Sequence, residues 1–269
     1  MKKLISSALI LLPSIALSYQ SSFSAGTTHY DNGSRNSTNS SLSISHSIVE
    51  IDDSKGPLAV SEFLNKKSNV KIQHSEFYSH SRNSYSSSST SIYGNYIYQD
   101  KFEVRASYSS LDLFKNDSKE YWDIGAGYYL SDTQKISTTI ISDGDIDDFN
   151  VHYFGVHKSE NETHYSVSSY LNHHNAGNYD RYSTGGSLSY YPNQYLSHSL
   201  SPAFSYTEYN SSLSGSSTEY YSLSYAVNYF VNRDFSSSIS VYYSDSHSSN
   251  LFTGSDSTTG LSLSISNRF

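Results

Sequence analysis

Apolar and polar side chains trade places residue by residue along most of this chain. Near the C-terminus Leu261, Leu263, Ile265 and Phe269 take every second position, with a break at Asn267, while Ser262, Ser264, Ser266 and Arg268 fill the register between. An α-helix would mix these two sets on its surface, whereas a strand separates them onto opposite faces. The pattern recurs in Tyr221, Leu223, Tyr225, Val227 and Tyr229 against Ser222, Ser224, Ala226 and Asn228. It recurs again in Phe102, Val104, Ala106 and Tyr108 against Glu103, Arg105, Ser107 and Ser109. Leu42, Ile44 and Ile48 alternate with Ser43, Ser45 and Ser47, with His46 in the apolar register. Sheets of soluble proteins alternate as well. Here, though, the second face is Ser, Asn, Gly and an occasional charge in strand after strand, which suits a wet interior better than a surface carrying Lys and Glu.

About fourteen such segments run along the chain, near 19–30, 38–50, 69–80, 88–99, 102–111, 120–130, 134–142, 148–158, 162–172, 181–191, 195–207, 218–230, 235–245 and 258–269. Each reaches or slightly exceeds the ~9–11 residues that a tilted strand needs to cross a bilayer. The connectors carry an independent signal. From the fourth segment on, short links (100–101, 131–133, 159–161, 192–194, 231–234) alternate with longer polar ones (112–119, 143–147, 173–180, 208–217, 246–257). Alternation of short turns and long loops is what an antiparallel barrel with both chain ends on one side produces, and it requires an even strand count. Residues 51–68 break the rule: a short turn is due there, yet the segment carries Gly56, Pro57 and the mildly amphipathic run Leu58 to Leu64. The expectation is an elongated turn at the short-turn end, or a short plug-like segment. Aromatic residues gather beside the short turns, as Tyr96 and Tyr98, Tyr128 and Tyr129, Tyr190 and Tyr191, and Tyr229 and Phe230. That is the place of an interfacial girdle, because a tyrosine joins an apolar ring to a polar hydroxyl.

Composition changes this picture only once the alternation is known. The 269 residues include 64 Ser and 27 Tyr but no Cys, and hydrophobic residues make up only 36%. Such a low apolar share alone would suggest disorder, but aromatics at 15% and charged residues at 16% are the reverse of a disordered composition. With no Cys there is no disulfide scaffold and no thiolate chemistry. A formal charge of −8 without a basic stripe argues against a nucleic-acid partner. The N-terminus reads as a signal peptide over residues 1–18: Lys2 and Lys3, an apolar stretch from Leu4 to Leu17, then Ala16 and Ser18 as small residues at a cleavage site before Tyr19. The stretch is shorter than the ~20 residues of a membrane-spanning helix. Removing its two lysines takes the charge from −8 to −10. No later segment resembles a transmembrane helix, so a mature chain that enters a membrane must do so as a closed β-barrel. The expected fold is therefore all-β: a transmembrane antiparallel barrel of about 14 strands over residues 19–269, with short periplasmic turns and longer extracellular loops.

Three features together resemble the outer-membrane porins of Gram-negative bacteria, and within them the group named putative general bacterial porins. They are the cleavage site before Tyr19 and Gln20, the segment Asp53-Ser54-Lys55-Gly56-Pro57-Leu58-Ala59 followed by Phe63-Leu64-Asn65, and the terminal Arg268-Phe269. The resemblance implies an outer-membrane location and a passive diffusion channel for small hydrophilic solutes and ions. It also implies contact with outer-membrane lipid and lipopolysaccharide, and recognition of Phe269 by the barrel-assembly machinery. Two departures, a shorter chain than the trimeric general porins and no long, strongly charged constriction loop, point to a smaller barrel. The rival reading is a secreted or surface-attached β-rich structural or adhesive protein, whose strands would stack rather than close.

Other chemistry is weakly signalled. With 64 Ser and 11 His, Ser/His pairs arise by chance, and there is no G-x-S-x-G, so no enzyme and no cofactor is expected. His173 and His174 are adjacent, point to opposite faces of a strand, and read as a solvated rim pair. Around Asp143, Asp145, Asp147 and Asp148 the glycine and terminal glutamate of a calcium loop are missing from their expected places, and the cluster reads as an acidic outer loop rather than a metal site. In a barrel the polar register assigns charges to the lumen: Glu103 and Arg105 two apart on one strand, and Lys71, Asp123, Lys135 and Arg268. Lys71, Lys135 and Arg268 lie close to the short-turn end and read equally well as rim charges. Opposed charges across a pore would set up a field that sorts small polar solutes, and the acidic excess favours cations.

Overall fold

A computed structural model describes residues 18–33, 36–80, 85–113, 117–142, 147–159, 163–209, 216–249 and 256–269. The alternating segments form fourteen strands: β1 (Ser18–Asp31), β2 (Asn36–Asp52), β3 (Asn69–His80), β4 (Tyr85–Tyr98), β5 (Phe102–Leu113), β6 (Asp117–Ser131), β7 (Gln134–Ser142), β8 (Asp147–Lys158), β9 (His164–Asn175), β10 (Tyr179–Asn193), β11 (Leu196–Tyr209), β12 (Ser217–Phe230), β13 (Phe235–Ser248) and β14 (Asp256–Arg268). Each pairs antiparallel with its sequence neighbours, and β1 pairs with β14, so the sheet is a closed barrel. Closure is completed at the last residue, where the Ser21 and Phe269 backbones exchange two N–H···O bonds of 2.8 Å. Among the described residues every strand is paired on both sides, which is closure and not the stacking of a fibre-like protein.

The two registers separate as the alternation predicts. Ile124, Leu171 and Trp122 on the outside are 61–66% exposed, and Leu223, Ile239, Val241, Leu261 and Leu263 continue the apolar surface around the barrel. Exposure on this scale would be costly in water, and it is the arrangement of a barrel standing in lipid. Serine hydroxyls fill the inside and pair across strands: Ser22 with Ser45 and Ser24 with Ser43 at 2.7 Å, Ser189 with Ser199 at 2.8 Å, Ser168 with Ser187 at 2.9 Å, and Ser238 with Ser264 at 3.0 Å.

Both described chain ends, Ser18 and Phe269, lie at what is here called the inner end. One inner link is a three-residue hairpin turn, 99–101: Gln99 and Asp100 have φ of 52° and 55°, and Lys101 N–H donates to the Tyr98 carbonyl at 3.1 Å. At the outer end the strands run further than the pattern suggests. Residues 173–180 read as a loop, but His173, His174 and Asn175 belong to β9 and pair with Tyr182, Arg181 and Asp180 of β10. Above the lipid a strand has no need of an apolar face, so the alternation fades while the backbone ladder continues. Only 176–178 remain as the link.

Among the described residues, the long inner link is the one place with an ordinary hydrophobic core. It forms 3₁₀ turns at Asp53–Lys55 and Leu58–Val60 and then a single helical turn, α1 (Ser61–Asn65). Leu58, Val60, Ser61 and Asn65 are buried. A Cβ at Gly56 would stand 2.7 Å from Leu64 Cδ1, so a larger residue there would have to displace the tip of the Leu64 side chain.

Candidate functional site: the lumen and its inner end

Five of the six predicted lumen charges, Lys71, Glu103, Arg105, Asp123 and Lys135, come to one wall, β3 to β7, and Arg268 stands apart on β14. Glu103 and Arg105 face inward on β5, opposite Gly127 and Gly125 of β6. These glycines leave a channel across β6 through which both side chains reach β7. A Cβ on Gly125 would lie 2.5 Å from Arg105 Nε and 2.7 Å from the Thr138 carbonyl oxygen, and one on Gly127 would lie 3.1 Å from Glu103 Oε2. Glu103 Oε2 accepts from Lys135 Nζ at 2.5 Å, its Oε1 from Asn95 Nδ2 at 3.4 Å, and the Glu103 side chain is 2% exposed. Arg105 donates to the Thr139 hydroxyl, and Ser107 donates to Asp123. Glu103 is therefore not an open pore charge, as its register suggested, but half of an ion pair built into the wall. Lys71 faces inward between Ser45 and Tyr93, partly exposed, and pairs with no carboxylate among the described residues.

Arg268 is likewise taken up: its Nη2 donates to the Leu58 carbonyl at 3.0 Å and its guanidinium lies 4.8 Å from the Phe230 ring centroid. It is one of several ties that hold the α1 segment inside the barrel. Leu58 N–H donates to the Gln194 carbonyl at 3.1 Å. Asn65 accepts from the Asp52 backbone N–H at 3.1 Å and donates to the Asp52 and Ser61 carbonyls at 2.6 and 2.8 Å. Phe63 packs edge-on to Phe154 at 4.5 Å and stacks on Tyr129 at 5.7 Å, and Val60 joins Val156 and Tyr191 in one buried cluster. Lys66 Nζ meets Asp132 at 2.8 Å, and this hydrogen bond holds the Asp132 carboxyl below the ordinary carboxylate range. These partners come from β2, β6, β8, β10 and β14 and from the links at Asp132 and Gln194, so the segment extends across the inner end. Three of the eight predicted girdle residues turn inward instead: Tyr96, Tyr98, Tyr128, Tyr190 and Tyr229 face outward, but Tyr129, Tyr191 and Phe230 are 4–6% exposed and face the α1 segment or Arg268.

The two histidines do point to opposite faces, but only His173 is a rim residue, stacked on outward-facing Tyr182 at 4.7 Å. His174 is buried, with Nδ1 2.5 Å from Asp148 and Nε2 2.9 Å from the Tyr179 hydroxyl. Asp143 and Asp145 lie outside the described residues. The Gly125 and Gly127 pair went unread in the sequence; the signal was the Gly-Ala-Gly spacing in an inward register, and it becomes legible only when β5 and β6 are aligned.

A family model described as "Putative general bacterial porin" matches residues 1–266. Among solved structures, the Acinetobacter baumannii outer membrane protein Omp33 is 16% identical with a TM-score of 0.60, over 95% of this chain and 100% of that one. A bacterial polysaccharide outer membrane secretin is 7% identical with a TM-score of 0.54, over 93% of this chain and 99% of that one. No curated protein matches.

Proposed function

The chain belongs to this family of general bacterial porins, and from that premise we propose how its lumen conducts. The protein is an outer-membrane porin, a channel for small hydrophilic solutes and ions. One observation carries the reading: a continuous inward register of hydroxyls inside a closed barrel whose outside is apolar. Serine lines a pore well, because a short neutral hydroxyl replaces water's hydrogen bonds without trapping an ion. The α1 segment acts as the constriction, leaving passage between itself and the serine-lined wall. The bound Glu103–Lys135 pair adds no net charge, so Lys71, Arg105 and Asp123 set the residual ion preference. Residues 1–18 serve as the export signal, Phe269 as the contact for the barrel-assembly machinery, and the aromatic girdle as the seat for lipid and lipopolysaccharide.

Planar-bilayer conductance tests this reading. Folded protein should give discrete steps, and Phe63→Ala, which loosens α1, should give larger ones. Absence of steps from protein that still migrates as a heat-modifiable barrel would leave a closed structural barrel instead.

A further inference from the structure

Away from the charged wall, the register builds a second feature on the inside of the barrel. Tyr30 of β1 and Tyr242 of β13 both pair with Gly260 of β14, and Tyr242 pairs in turn with Ser224 of β12. Four adjacent strands thus contribute Tyr, Gly, Tyr and Ser to one row. The next row toward the inner end supplies Thr28, Ser262 and Ser240. These seven residues line a hollow of about 330 Å³. That size falls at the small end of the ~300–1,000 Å³ typical of small-molecule sites.

The hollow exists because Gly260 has no side chain. A Cβ there would lie 3.1 Å from Tyr30 Cδ1 and 3.2 Å from the His29 carbonyl oxygen, so the glycine lets the Tyr30 ring lie down across β14. The two rings meet edge to face, 6.2 Å apart at 90°, forming a corner. The Tyr242 hydroxyl is bonded to that of Tyr220, and the Thr28 hydroxyl donates to Ser262 at 3.0 Å. The corner is therefore set before any solute arrives, which lowers the ordering cost of binding.

We propose that this hollow is a binding subsite for a neutral sugar in transit, a hexose or one residue of a short saccharide. The proposal rests on the porin reading. A pyranose ring offers an apolar C–H face and a rim of hydroxyls; an aromatic ring covers the first, and side chains that both donate and accept satisfy the second. Tyr30 and Tyr242 supply the faces, and Thr28, Ser224, Ser240 and Ser262 supply the hydroxyls. None of the seven lining residues is charged. A carboxylate or ammonium would lose hydration there without a compensating partner, so the site selects against the ionic solutes that the opposite wall attracts.

The test uses the full mature protein, folded in detergent and checked by its heat-modifiable mobility. Glucose binding is followed by saturation-transfer NMR, with glucuronate as the charged comparison. The expected result is saturable glucose binding, weakened about tenfold by Tyr242→Ala and by Tyr30→Ala, the equivalent of about 1.4 kcal/mol. Tyr242→Phe, which keeps the ring, should lose only about two- to threefold. Tyr170→Ala, on inward-facing β9, should bind as the parent does. No saturation in the parent, equal loss in Tyr170→Ala, or tighter binding of glucuronate overturns the proposal. Bilayer conductance of the same samples separates the two readings: steps without glucose saturation overturn the subsite alone, and glucose saturation without steps overturns the pore and leaves the site.

Discussion

Removing either partner of the Glu103–Lys135 pair should have unequal effects, and the inequality follows from where each charge can go. The Glu103 side chain is 2% exposed and that of Lys135 15%. Lys135→Met strands a carboxylate between β5 and β7 with only the Asn95 amide at 3.4 Å as a remaining partner. One-sided removal of a buried pair costs about 3–5 kcal/mol. Glu103→Gln strands an ammonium that is nearer water and already lies 5.5 Å from the Tyr129 ring and 6.0 Å from Phe63. Its cost should be smaller, about 1–3 kcal/mol. The double variant leaves no charge to desolvate, so it should be more stable than Lys135→Met, with a coupling energy of about 2–3 kcal/mol. The assay is chemical unfolding in lipid vesicles, followed by the fluorescence of Trp122, the single tryptophan, which faces outward. Effects that add to within ~0.5 kcal/mol, or a Glu103→Gln variant less stable than Lys135→Met, would refute the reasoning that this is one buried unit.

Other outcomes follow from the same geometry. Glu103→Gln leaves an unbalanced cation in the wall and should shift reversal potentials in a salt gradient toward anions; an unchanged potential removes the pair from the pore's field. Because the Asp132 carboxyl is held below its ordinary value by Lys66, the tie is fully present above the unfolded carboxylate value of about 3.9 and is lost as pH falls through the lower folded value. Acidification should therefore loosen the end of α1 and raise conductance, and Asp132→Asn should show the raised value at neutral pH. Leu171→Lys on the outer face should destabilise by about 2–4 kcal/mol if it lies near the bilayer midplane, whereas Ser201→Lys in the inward register should cost much less, as urea midpoints in vesicles would show. Gly127→Ala crowds Glu103 Oε2 at 3.1 Å and the Ser137 Cβ at 3.3 Å, and should cost about 1–3 kcal/mol by overpacking.

The strands were legible because lipid on one side and water on the other impose a period of two that sequence carries openly, as in Leu261 to Arg268. Legibility faded where one of those conditions lapsed. Above the lipid, His173 to Asn175 stay in the ladder without an apolar register to announce it. At the inner end, Tyr129, Tyr191 and Phe230 read as girdle beside Tyr128, Tyr190 and Tyr229, although adjacent residues of a strand face opposite ways; what parity could not show is what covers the inward rings, namely Phe63 on Tyr129, Val60 with Tyr191 and the Arg268 guanidinium on Phe230. The inward direction of Glu103 and Lys135 was readable from parity. Their pairing was not, since it depends on two strand registers and on Gly127 between them.

The serine lining also bears on how the barrel assembles. Where Ser faces Ser on neighbouring strands, as in Ser22 with Ser45 and Ser24 with Ser43, a slip of two residues would restore nearly the same hydroxyl contacts, so the interior itself is a poor ruler. Accuracy must come from positions that fit in one alignment only. Gly260 accepts Tyr30 and Tyr242 on either side, and Gly127 admits Glu103. A slip of two would set Ser262 or Thr258 against those rings, and on β6 it would set either Tyr129 against Glu103 or Asp123 against Arg105, so the two glycines admit both side chains in one alignment only. The few inward glycines thus work as index marks that keep a repetitive chain from closing out of step.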